Sequence, residues 1–493
     1  MPDPACFIGV QPFHLHDLCC KGLPMTRSHR DLTVGSTLST LIRLAAPIVV
    51  ANMLQTAYQL IDAFWVGRLG ANAVAAVSLS FPVLFLLISV GIGLAVAGTI
   101  LAAQHYGRRE LDAVNHVAAQ AMLGMIVLSL LLAITGYLIS PHAVTFLGAS
   151  TEVAPPAADY LQISFLGMPF MFVYAAFQSL MRGVGDARTP LWIVFGTVVL
   201  NFILDPLLIL GLGPVPAMGV SGAAVATVIT QALSAVIGLY LLFYGRFGIQ
   251  LQWHHMRPDL HLLWRLFALG GPTAVEQSTR ALGMMLMTTL VAGFGTVTLA
   301  AYGIGTRLLS FVIIPALGLA QATSALVGQN IGAGKVERAE KTANLSALIA
   351  FVSLTVVGIL AAIFAEPLVA IFVPDTPEVI TEGALFLRLM ALTFGLMGAQ
   401  TVIAGAFRGA GDTMVAMIIA LVSLWMLQFP LAWLLAERTS LDEVGIWLAY
   451  PIQNVVTVLV AWYWFRSGRW KQHQLLDPQS SATPPLAPPP RAP

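Results

Sequence analysis

Long apolar runs separated by short polar connectors dominate the chain. A helix needs about 20 mostly apolar residues to cross a bilayer. By that rule twelve spans are predicted, near 41–67, 76–104, 116–139, 157–181, 189–212, 219–244, 262–294, 299–328, 342–366, 380–406, 414–436 and 444–467. The longest windows include interfacial turns or tilted ends. Composition agrees: 58% of the 493 residues are hydrophobic and 10% charged, where soluble domains carry about a quarter charged. The pattern predicts an all-α polytopic membrane protein.

Charge then sets the layout. Arg27, Arg30 and Arg43 lie at or before the first span, and Arg108 and Arg109 follow the second. Arg182 and Arg188 follow the fourth, Arg246, Arg257 and Arg265 the sixth, and Lys335, Arg338 and Lys341 the eighth. Arg408 follows the tenth, and Arg466, Arg469 and Lys471 close the twelfth. Positive residues stay on the cytoplasmic side, so both termini are expected there. The expected units are a tail at 1–38, a first lobe at 39–245, a cytoplasmic loop at 246–261, a second lobe at 262–467 and a disordered Pro-rich tail at 468–493. Cys6, Cys19 and Cys20 all lie in the first tail, so no disulfide is expected in the core. Met25, which opens MTRSHRDLTVGSTL, is an alternative start to Met1.

The first span is unusual. PIVVANMLQTAYQLIDAFWVGRLG, from Pro47 to Gly70, carries Gln55, Tyr58 and Asp62 at helical spacing on one face. A carboxylate in a spanning helix is costly and normally faces a bundle interior or watery cavity. A second acid, Asp205, lies in NFILDPLLI with Asn201 one turn earlier. Pro206 follows; it lacks an N–H and crowds the Phe202 carbonyl, which predicts a kink and free carbonyls. Both acids fall about seven residues before the outer ends of their helices, roughly 10 Å below the surface. Two such acids in low dielectric repel, so one should hold a proton that a cation could displace. The bland readings are an acid at the outer interface and an asparagine that merely ties helices together.

Two copies of one six-helix unit are visible. Pro47, Gly70, Gln104 and Gly107 recur as Pro272, Gly295, Gln329 and Gly332, all at an offset of 225. RGVGD at 182–186 recurs as RGAGD at 408–412, and GAAVA from Gly222 and GIWLA from Gly445 share G-x-x-x-A. Parallel repeats place substrate between two bundles that rock for alternating access. The RGxGD loops read as structural, their glycines allowing tight turns and their Arg–Asp pairs fixing short connections.

As a set, RDLTVGS, DAFWVGRLG, AAQHYG, FQSLMRGVGDARTP, NFILDPLLI, GVSGAAVAT and VGQNIGAGK resemble the multidrug and toxic compound extrusion (MATE) transporters. The resemblance covers nearly all of the chain from Asp31 to Trp470. It implies twelve helices in two pseudo-symmetric six-helix bundles around a V-shaped cavity. The activity implied is export of cationic amphiphiles against inward H⁺ or Na⁺. Pro47, Gln55, Tyr58, Asp62, Asn201 and Asp205 match the N-lobe cation and proton network of the DinF-like branch. Tyr160 also matches in type, and Gln178 stands where some relatives have Asn. Pro47 is in that branch a candidate hinge, although a proline one turn into a helix can be only a start signal. Asp62, Asp205 and Asn201 are the candidate Na⁺ ligands.

The second half departs from this pattern, since Met287 and Leu431 fall at or near the repeat positions of the two acids. The C-lobe sodium site of the NorM branch is not expected: Glu276 lies one turn from its place, where Arg280 sits, and the two read as an ion pair. Met284, Met285 and Met287 read as packing residues, and His254, His255 and His261 as a solvated loop without metal spacing. The competing function is a lipid-linked oligosaccharide or lipid II flippase, disfavoured by scarce interior basics, mainly Arg280, Arg307 and Arg388. No catalytic or nucleotide-binding motif appears, so neither an enzyme nor ATP drive is expected. The formal net charge of +1 gives no case for nucleic acid. The expectation is a monomeric inner-membrane antiporter, surrounded by lipid and without a cofactor beyond its coupling ion.

Overall fold

The computed structural model describes residues 32–211, 216–245, 248–472 and 475. The expectations for Cys6, Cys19, Cys20, Met25 and most of the Pro-rich tail lie outside them. Among the described residues there is no strand.

Six helices build the first half: α1 (Thr37–Gly67), α2 (Ala71–Gly107), α3 (Leu111–Phe146), α4 (Ala154–Gly183), α5 (Arg188–Pro206) and α6 (Val220–Tyr244). The second half begins with α7 (Leu260–Ala292), α8 (Thr296–Gly332) and α9 (Val336–Ile363), followed by the short α10 (Ala365–Ala370). It ends with α11 (Pro377–Ala391), α12 (Phe394–Ala410), α13 (Thr413–Leu421), α14 (Phe429–Glu437) and α15 (Asp442–Arg466). Among the described residues ten segments are long and apolar enough to cross a membrane, counting α5 with its π turn and α13 with α14. The pair α11 and α12 makes an eleventh. The remaining predicted window, 262–294, is filled by α7, 33 residues long, whose apolar run is broken by Glu276, Gln277 and Arg280.

The tenth window was expected to be one helix. Instead α11 and α12 meet at a 52° bend. Leu392 and Thr393 form the break, and the Thr393 hydroxyl accepts from Asn454 Nδ2 at 3.0 Å. A buried partner on α15 thus holds a corner that no proline marks.

The first helix of each half is rooted in the other half. Leu41, Leu44, Ala45 and Ile48 of α1 pack into the core made by α8, α9 and α12. Reciprocally, Leu262, Leu266 and Leu269 of α7 pack against α2 and α3 in the core those helices share with α4 and α6. Further along, α1 returns to its own half beside α5, while α7 packs against α13. Pro47 lies where α1 leaves the foreign core, well inside the helix, so it is not a start signal. Pro272 is likewise interior to α7.

The same end of the molecule closes on glycine. A Cβ at Gly107 would fall 2.0 Å from the Gln329 carbonyl oxygen, and one at Gly332 1.9 Å from that of Gln104. The side chains of this pair cross as well. Gln329 Nε2 donates to the Gly183 carbonyl at 2.7 Å, and Gln104 Nε2 to those of Gly409 and Ala410 at 3.3 and 3.4 Å. Each half therefore grips the RGxGD loop of the other. Those loops need their glycines, Gly185 and Gly411 having φ of 92° and 93°. Among the described residues the expected Arg–Asp pairs do not form within these loops. Asp186 instead caps α5, accepting from Arg188 N at 2.9 Å and Thr189 N at 3.1 Å, and Asp412 caps α13.

The loop histidines are also placed differently from expectation. His255 is buried, its Nε2 lies 3.3 Å from Asp112 Oδ1, and the His254 ring lies tilted beside it at 3.9 Å between ring centroids. Gln120, fully buried on α3, anchors this loop: its Nε2 donates to the carbonyls of His255 and Arg257 at 2.7 and 2.6 Å, and its Oε1 accepts from Asp259 N at 3.0 Å. Met287 is buried, while Met284 and Met285 face outward.

Candidate cation and substrate site

Packing of α1 against α5 brings the two acids of the first half together. Asn201 and Asp205 are completely buried, and Asn201 Nδ2 donates to Asp205 Oδ1 at 2.8 Å. The i, i+4 spacing that suggested this pair is the reason the bond forms. Asp62, half-buried on α1, lies close enough to Asp205 for their charges to interact. Tyr58 and Tyr160 are within the same electrostatic reach, Tyr160 entering from α4. Tyr58 shares a 3.0 Å hydrogen bond with Thr230 of α6, a partner the sequence pattern did not single out.

The local chain is shaped for this. Pro206 ends the regular α-helix, and Leu207–Gly211 continues as a π turn. The kink expected at Pro206 thus takes the form of a widened turn, which still leaves the Phe202 carbonyl without its usual donor. Gly222 permits α6 to fold back on that turn; a Cβ there would sit 2.5 Å from the Leu208 carbonyl oxygen.

Three oxygens in the cluster have no hydrogen-bond donor: Asp62 Oδ1, Asp205 Oδ2 and Asn201 Oδ1. Buried acceptors are almost always paired in folded proteins. A concentration of orphaned oxygens, two of them carboxylate, has the chemistry of a site for a proton or a hard cation.

Gln55 and Gln178 stand elsewhere. With Ile48, Ala51, Asn52, Arg182, Ala187 and Pro190 they line a separate cavity between α1, α4 and the start of α5. Arg182 in this cavity is another residue missed as a candidate. In the second half Glu276 is buried and bonded to two arginines, Arg280 at 3.1 Å and Arg408 at 2.9 Å. The expected i, i+4 pair is present, with Arg408 added from α12. Arg388, counted among the interior basics, pairs with Glu366 in an exposed contact at 2.9 Å.

Two repeated six-helix halves, closed on each other at one end, with a cluster of donorless carboxylate and amide oxygens in the first half, define a membrane transporter of the two-lobed kind. Residues 47–207 and 272–434 match the MatE family model. The chain belongs to the MATE family. It is 30% identical to the probable multidrug resistance protein YoeA of Bacillus subtilis over 87% of this chain and 93% of that protein. It is 28% identical to a FAD transporter of Shewanella oneidensis, over 86% and 93%. The fold superposes on a MOP superfamily transporter from Pyrococcus furiosus with a TM-score of 0.84 and 26% identity, covering 90% of this chain and 98% of that one.

Proposed function

We propose that the protein is a secondary active exporter of cationic amphiphiles, driven by inward H⁺ or Na⁺, with Asp62 and Asp205 as the coupling site. The single observation that carries this reading is the set of donorless oxygens on Asp62, Asp205 and Asn201. Three clustered oxygens without a donor are satisfied by a proton or cation and destabilised without one. Binding on one side and release on the other then links ion movement to the rocking of the halves. Tyr58 and Tyr160 border the acids, and Pro47 and Pro206 act as hinges. No further cofactor takes part. Multidrug efflux as the general activity is supported by the name of the Bacillus relative. The acidic pair and its DinF-like spacing favour positively charged substrates. In this reading the transporter works as a monomer in the inner membrane with both termini cytoplasmic.

The test is ethidium efflux from proteoliposomes under an imposed proton or sodium gradient, applied singly. Asp62→Asn and Asp205→Asn should each abolish export at unchanged expression. Normal efflux in both variants would remove the acidic pair from the mechanism. A proton gradient that suffices without sodium makes the pair a protonation switch; a strict sodium requirement makes Asn201 a ligand.

A further inference from the structure

The two arginines that open the RGxGD loops occupy matching places in the repeat but have opposite surroundings. In the second half Arg408 is neutralised by Glu276, at 2.9 and 3.1 Å from its two oxygens, and Arg280 supports the same carboxylate. The first-half equivalents, at the 225-residue offset, are Ala51 for Glu276, Asn52 for Gln277 and Gln55 for Arg280. All three line the cavity that Arg182 enters, and none carries a charge. Among the described residues no carboxylate pairs with Arg182. The Tyr174 hydroxyl, within electrostatic reach of Arg182, itself donates to the Pro190 carbonyl at 3.2 Å. A half-buried guanidinium thus faces a cavity furnished with three neutral amides, Asn52, Gln55 and Gln178.

We propose that this cavity is a subsite for an anionic group, carboxylate or phosphate, carried by the transported amphiphile. The inference rests on the efflux reading above and extends it to a substrate class. A guanidinium presents a planar fork of donors that matches either anion, and the amides complete the recognition of the remaining oxygens. Low dielectric makes an uncompensated cation costly, and an incoming anion removes that cost. Gln55 and Asp62 lie seven residues apart on α1, so the subsite is about 10 Å from the acidic pair along the helix. The favoured substrate therefore has its cationic centre toward Asp62 and its anionic group about 10 Å away.

The experiment compares two dyes with one chromophore, rhodamine 6G, a cationic ethyl ester, and rhodamine 19, its free acid. Binding to the purified full-length protein is followed by fluorescence polarisation in uncharged detergent, with no ion gradient. The expected result is that the preference for the acid over the ester falls about tenfold in Arg182→Gln. Ala51→Glu, which recreates the Glu276 arrangement beside Arg182, should lower it similarly, and Arg182→Lys should retain most of it. A ratio unchanged in both charge-cancelling variants would overturn the subsite. So would loss of the wild-type preference on adding phosphatidylglycerol, which would assign the cavity to a lipid headgroup. Failure of the wild type to bind either dye would sink the efflux reading along with this one. Discrimination preserved in a protein that no gradient drives would remove only ion coupling.

Discussion

Gly107→Ala places a methyl group where the two halves touch. The new Cβ would lie 2.0 Å from the Gln329 carbonyl oxygen, a backbone atom on α8 that cannot rotate away. An ordinary carbon–oxygen contact is about 3.4 Å, so the ends of α2 and α8 must part by about 1.4 Å. Overpacking of this kind costs about 1–3 kcal/mol. The strain falls on the conformation in which this end is closed, and a state with the ends apart escapes it. The expected population shift toward that state is therefore about 5- to 150-fold. Gly332→Ala, with its Cβ 1.9 Å from the Gln104 carbonyl oxygen, should act in the same direction. Once one methyl has separated the helix ends, the second meets less resistance, so the double variant should cost less than the sum. Nitroxide labels replacing the exposed residues Leu111 and Glu337 would report the separation by pulsed electron resonance. A longer-distance population should grow in either variant. An unchanged distance distribution together with an unchanged melting temperature would refute the argument that this glycine contact holds the end shut.

Three further outcomes follow from particular contacts. Glu276→Ala leaves Arg408, whose side chain is only 14% exposed, without its carboxylate; breaking such a buried pair costs about 3–5 kcal/mol, and a lowered melting temperature in detergent should show it. Gln120→Ala removes three hydrogen bonds that anchor the loop after α6; at about 1 kcal/mol each, amide exchange in residues 248–259 should quicken by roughly two orders of magnitude. Burial, then the neighbouring His254 and His116, lowers the pKa of His255 from its usual 6.5, against the pull of Asp112. Its neutral form is thus favoured in the docked loop, so docking is stable above pH 6.5 and weakens as the pH falls below it. Exchange corrected for its intrinsic pH dependence should rise between pH 7 and pH 5, and His255→Gln should flatten that profile.

The acidic site was legible because its decisive relations are local. Asn201 and Asp205 meet at i, i+4, and Tyr58 and Asp62 share a helix face by the same periodicity. The repeat was legible through glycine and glutamine identities, which turn out to sit at the reciprocal contacts between halves. What escaped involves residues far apart in the chain or a backbone choice without a side-chain signal. Arg408 reaches Glu276 across 132 positions, and Asp112 reaches His255 from another helix. The corner between α11 and α12 contains neither glycine nor proline at Leu392 and Thr393, so composition carried no trace of it. Gln55 joins the acids by helical spacing and Gln178 by family resemblance, and neither signal tells one cavity from the next.

The crossed rooting of α1 and α7 bears on how such a chain could arise. A solitary six-helix unit would present the apolar base of its first helix, at Leu41, Leu44 and Ile48 or at Leu262, Leu266 and Leu269, without a socket of its own. Two identical units would satisfy both bases by exchanging first helices, as in a domain-swapped dimer. Gene fusion of such a dimer preserves the exchange while freeing the copies to diverge. One copy could then keep its acids and the other its internal ion pair.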